Sequence, residues 1–190
     1  MKKIIALYLL IGLPTAHAFV PKEAYFFDYN IQTVKMGWSK QKKIYNSAEL
    51  LKMIVSSPEF RSKILRHRYK GRYAFAENRG LKNAQIYRKI LEGAERLSPY
   101  RNNTLDVEVE LYTNFNSNVM GYTMPRSRRI WMNTKYFSRY SAGELASHLT
   151  HEWLHKLGFD HDKERTHRRK FTVPYAIGYI VRDLAKEYEY

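Results

Sequence analysis

A chain of 190 residues without cysteine forms no disulfide and offers no thiolate to a metal, so any metal it holds rests on His, Asp, Glu or Tyr. Its 33 basic residues against 18 acidic ones give a formal charge of +15, a field that favours anionic partners such as cell-wall polymers, lipopolysaccharide, nucleic acid or acidic proteins. The length suits one domain with a real core, and no stretch beyond the N-terminus is apolar enough to span a bilayer.

The first residues have the three parts of an export signal. "MKK" is basic, "IIALYLLIGL" is apolar, and Ala16, His17 and Ala18 form a small-x-small cleavage site. The apolar run is shorter than the roughly 20 residues a spanning helix needs. Cleavage is expected after Ala18, and removing Lys2 and Lys3 takes the charge from +15 to +13. Without a cysteine there is no lipid attachment point, so the mature chain from Phe19 to Tyr190 is expected to be secreted or periplasmic, and monomeric.

The segment 19–80 reads as a helical N-terminal part and 81–190 as the core of one α+β domain. "NSAELLKMIVS" opens with Asn46 and has Glu49 in the capping-box position. "SPEFRSKILRHRY" follows, with Ser57 as cap and Pro58 at the first helical position. A third helix is expected from Leu81 to Leu97, turning Ile86, Ile90 and Leu91 inward. The period then changes. "TLDVEVELYT" alternates Leu105, Val107, Val109 and Leu111 with Asp106, Glu108 and Glu110, a half-buried strand with an acidic outer face. "NVMGYTM" and "RRIWMN" are two further strands around a turn at Pro125 to Ser127, and Trp131 and Trp153 are expected in the core. "SAGELASHLTHEWLHKLG" is a long helix opened by Ser141 and Glu144 and closed by Gly158.

That helix carries the chemistry. Residues four apart on a helix share a face, so His151 and His155 present two imidazoles to one point. Glu152 is turned about 100° aside, where it can act on a water beside the ion rather than ligate it. A continuing helix would carry His161 about 15 Å from His151, so the chain must reverse. Gly158 is placed to do that, because glycine adopts the left-handed C-cap conformation without steric cost.

"HEWLHKLGFDH", from His151 to His161, matches the metzincin zinc-peptidase pattern H-E-x-x-H-x-x-G-x-x-H at every fixed position. The chain therefore resembles metzincins over about Thr104 to Tyr190. The resemblance implies a small twisted mixed sheet packed on a long active-site helix, with the N-terminal helices as an addition. It implies one Zn²⁺ held by His151, His155 and His161, Glu152 as general base, and a peptide or protein substrate. It also implies an edge strand that pairs with the substrate, expected here near Val119 to Met124. Metzincins carry a methionine-containing turn after the third ligand, yet no methionine follows Met132. The corresponding segment, "VPYAIGYI" from Val173 to Ile180, is expected to form a tight turn with Val173, Ala176 and Ile177 as an apolar floor. A C-terminal helix to Glu189 should follow. Tyr175 matches the tyrosine that some metzincins place near the metal, as an extra ligand or an oxyanion donor. As one of 16 tyrosines it has a structural reading too.

Outside the motif, His148 reads as a packing residue on a neighbouring face and His167 as exposed. Asp162 either orients an imidazole or pairs with the basic residues after it. The run from Arg165 to Lys170 reads as a solvated loop. The function expected is an exported zinc endopeptidase. Two rivals stay open: a basic envelope- or nucleic-acid-binding module with a structural zinc, and a zinc hydrolase acting on cell-wall peptides.

Overall fold

The computed structural model describes residues 26–188; the expected leader and the expected helix end at Glu189 lie outside them. The described elements run β1 (Asp28–Val34), α1 (Trp38–Val55), α2 (Pro58–Arg66), α3 (Asn83–Glu92), β2 (Thr104–Tyr112), β3 (Gly121–Thr123), β4 (Arg129–Asn133), α4 (Thr134–Phe137), α5 (Ala142–Lys156), a 3₁₀ helix (His167–Phe171) and α6 (Val173–Tyr188). The class is α+β. One mixed sheet has the order β1-β2-β4-β3, parallel at the first two pairings and antiparallel at the last. Among the described residues, no helix is long and apolar enough to cross a membrane.

The period-two pattern of β2 does what it implies. Leu105, Val107 and Val109 are fully buried and continue into Ile130 and Met132 of β4. On the other face Arg129 reaches Glu108 and Glu110, each at 2.7 Å, and so neutralises much of the expected acidic surface. Asp106 is buried rather than exposed, taking hydrogen bonds from Asn30 and Asn102. Trp131, expected in the core, lies on Arg129's side of the sheet because strand residues two apart share a face. Its ring stacks on Tyr122 at 5.1 Å. Trp153 is in the core, with no exposed surface and its indole N–H donated to Glu95 at 2.6 Å.

The N-terminal part departs from a purely helical reading. "DYNIQTV" is strand β1, in parallel register with β2 from Asp28↔Thr104 to Val34↔Glu110. Only Ile31 of it is buried, so the alternation that marks a strand is missing. Helix α1 begins at Trp38, about two turns before Asn46, with Gly37 as its cap residue. Its early turns bury only Ile44, which hid them from a periodicity reading. Asn46 is exposed mid-helix, and Glu49 accepts from the Tyr29 hydroxyl at 2.7 Å instead of closing a capping box. Ser57 does cap α2, accepting from the Phe60 N–H at 3.1 Å. Helix α3 is shorter than expected because Gly93 stops it at φ 64°, where a Cβ would run into the Thr104 carbonyl. Helix α1 packs on β1 and α5, and α5 on α6, so the N-terminal elements share one core with the motif helix.

Candidate metal centre

Helix α5 is held at both ends by its own sequence. At its start Ser141 accepts from the Glu144 N–H at 3.1 Å while Glu144 accepts from the Ser141 N–H at 2.9 Å, the expected capping box. At its end Gly158 takes φ 93°. The Gly158 N–H bonds back to the His155 carbonyl and the Phe159 N–H to the Leu154 carbonyl, each at 3.0 Å. That paired bonding is a Schellman motif, and it reverses the chain within one turn.

The reversal brings His161 back over α5. The His151 and His155 rings lie 5.1 Å apart, and His161 sits 5.2 Å from the first and 4.9 Å from the second. One ring nitrogen from each lies within 4.8 Å of the other two. Such a set could hold one metal ion; tetrahedral ligands about 2.1 Å from zinc would stand about 3.4 Å from one another.

Two of the imidazoles are also oriented from behind. The Nδ1 of His155 donates to the Phe159 carbonyl at 2.7 Å, and that of His161 to the Asp162 carbonyl at 3.0 Å. The Pro174 backbone adjoins His151 and slightly opposes the burial that lowers its pKa. In His155 and His161 these bonds leave Nε2 as the free ligand atom. Burial pushes the pKa of all three below the usual histidine value, which keeps them neutral as metal ligands must be. Asp162 thus orients His161 through its backbone, while its carboxylate takes Thr166 and Arg168.

Glu152 is buried beside the triad. Burial pushes its carboxyl up to about 8, opposed by the ammonium of Lys156 one turn on. Lys156 is itself buried and lowered to about 8 by desolvation. Its ammonium donates to the carbonyls of Met124, at 3.1 Å, and Ser127, tying the end of α5 to the β3–β4 turn. His148 has the packing role expected of it. It is buried and neutral, lowered to about 4 by desolvation, and lies where a Cβ on Gly121 would stand. The glycine therefore lets β3 close onto α5. His167 is exposed, as expected.

The tight turn expected over Val173 to Ile180 is instead the opening of α6. Pro174 is tolerated in the first helical turn, where its missing N–H would have no partner, and the Thr172 carbonyl accepts from Ala176 at 2.9 Å. Val173, Ala176 and Ile177 are buried, but as one face of a helix. Helix α6 approaches α5 closely at Gly178, whose Cβ position is 3.3 Å from the Ser147 carbonyl and 3.8 Å from the His151 Cβ. The Ser147 hydroxyl donates to the Gly178 carbonyl at 2.7 Å. Tyr175 projects from this helix onto two of the triad histidines, its ring 4.5 Å from His151 and 4.9 Å from His161.

The basic run after His161 is not merely a solvated loop. Its second half is the 3₁₀ helix, and Arg169 lies over the Tyr175 ring at 4.8 Å. No local pattern marks Arg169, since its direction depends on the 3₁₀ turn and on α6. The triad, Glu152 and Tyr175 line one cleft of about 1010 Å³, bounded by β3, α5, α6 and the segment after Asp160. β3 is the last strand of the sheet, so the expected edge at Val119 to Met124 contains a true edge strand of three residues. Comparison of the chain with known protein families, characterised proteins and solved structures finds no match.

Proposed function

We propose that the protein is an exported zinc-dependent endopeptidase of metzincin type. The observation that carries this reading is the meeting of three imidazoles, two of them oriented by carbonyls, with one buried carboxylate in a cleft bordered by a free strand edge. His151, His155 and His161 hold Zn²⁺. When bound, zinc supplies a Lewis acid that acidifies water and polarises a carbonyl. A divalent charge in the triad also favours the carboxylate form of Glu152. Glu152 takes a proton from the attacking water and hands it to the departing amine, a task suited to a group whose surroundings raise its basicity. Tyr175, packed on two ligands, donates its hydroxyl to the developing oxyanion. An extended peptide pairs with the outer edge of β3, which places its scissile bond over the triad.

The test is Glu152→Ala in the full mature chain. It is expected to keep about one zinc per chain by metal analysis while cleavage of a peptide library falls at least about 10²-fold. An active Glu152→Ala protein would sink the mechanism.

A further inference from the structure

We propose that the wall of the cleft beside His161 is a carboxylate-binding subsite, so that the favoured substrates are peptides with an acidic residue next to the scissile bond. This rests on the peptidase reading and adds the substrate class to it.

The cleft has a one-sided charge. Lys163, Arg165, Arg169 and Lys170 line it from the segment after His161, and Arg182 lines it from α6. Carboxylates line it too, but they are engaged. Glu144 closes the α5 capping box, Asp160 pairs with Arg79 at 2.6 Å, and Glu95 accepts from Trp153. Asp106 accepts from two asparagines, and Glu152 has Lys156 one turn away. None of them neutralises the wall.

Four of the wall's five cations are free of carboxylate partners. Among the described residues, Lys163, Arg165, Arg169 and Lys170 make no ion pair, and Arg182 reaches only the adjoining Asp183. Arg169 is the most telling. Its guanidinium lies over the Tyr175 ring, one Nη reaches only the Lys163 carbonyl at 3.3 Å, and its Nε is buried without a hydrogen-bond partner. The neighbouring Arg168 does the opposite, pairing with Glu77 and Asp162. Adjacent arginines thus divide the work: one fastens the loop and the other faces the cleft unpaired.

The position fits a side chain near the reacting bond. Arg169, His151 and His161 all lie against the Tyr175 ring, 4.8, 4.5 and 4.9 Å from its centre. A guanidinium braced on an aromatic face offers a planar fork that suits a carboxylate. Arg165 and Arg182 extend the same field along the wall, with Arg182 over the Tyr179 ring at 5.0 Å.

The experiment uses the full zinc-loaded chain and quenched-fluorescence peptides that differ only in Glu or Gln at the residues flanking the cleaved bond. The Glu peptide should show kcat/KM at least about tenfold above its Gln partner. Arg169→Gln should bring that ratio down at least about fivefold, Arg165→Gln by less, and Arg168→Gln not at all. Arg165 is exposed and keeps the test open should Arg169→Gln misfold. Equal rates, or a preference that Arg169→Gln and Arg165→Gln both leave intact, would overturn the subsite and assign any preference to the overall positive charge. Anisotropy with the same peptides on zinc-loaded Glu152→Ala separates the two readings. Glu-selective binding with no cleavage by the wild type would keep the subsite and sink the peptidase, whereas cleavage without selectivity would sink only the subsite.

Discussion

Helices α5 and α6 meet across the histidine triad, and they are legible to very different degrees. Helix α5 carries two of the three candidate ligands, and its cap, its face and its end are all set by residues within a few positions of one another. Helix α6 holds no ligand. It contributes a ring against two of the triad histidines and a glycine that lets it approach α5. Those contributions exist only because α6 lands beside α5. The chemistry of a metal site can therefore be spelled locally while the support that aims it is spelled by the fold.

Four substitutions sharpen that contrast. His155→Ala, on α5, should abolish stoichiometric zinc in metal analysis after dialysis, a loss far beyond the about 10–100-fold that removal of an orienting partner costs. Next comes Glu95, which accepts from the Trp153 indole. Burial raises its pKa to about 7 from an ordinary 4.5. The folded state binds that proton more tightly than the unfolded chain. Its contribution is therefore full below about pH 4.5 and is lost as pH rises through about 7. Glu95→Gln should remove this dependence, which is on the order of 3 kcal/mol in urea unfolding curves compared between pH 4.5 and 7.5.

Tyr175→Phe, on α6, keeps the ring against both ligands and deletes the hydroxyl. Zinc content should be unchanged while kcat falls about 10²-fold, the effect of losing one oxyanion donor. An unchanged kcat would leave Tyr175 a packing residue. The smallest effect belongs to Gly178→Val, which forces α6 off the Ser147 carbonyl. Stability should fall by about 2 kcal/mol in thermal unfolding. Zinc affinity, measured by competition with a chelator, should fall about tenfold as α6 withdraws from His151. If zinc affinity holds while stability falls, α6 supports the fold alone and not the triad.

The same division runs through the rest of the molecule. The capping pairs at Ser57 and at Ser141 with Glu144 were legible because a cap and its partner are three residues apart. The buried face of β2 was legible because Leu105, Val107 and Val109 alternate without interruption. Strand β1 was not, because its parallel pairing with β2 asks little of its side chains and only Ile31 is buried. Gly37 and the charged turns after it hid the start of α1 for a similar reason: a helix half in solvent shows half a period.

By itself the sequence determined which three histidines could meet. Helical geometry puts His151 and His155 on one face, and a glycine at 158 can turn the chain so that His161 returns; both follow from backbone stereochemistry over eleven residues. Only the tertiary structure decided that Val173 to Ile180 is helix rather than turn, that Trp131 faces outward, and that Arg169 faces the cleft while Arg168 does not. Those choices depend on which distant surface covers a residue. No spacing along the chain encodes that, because burial is a property of the two surfaces that meet.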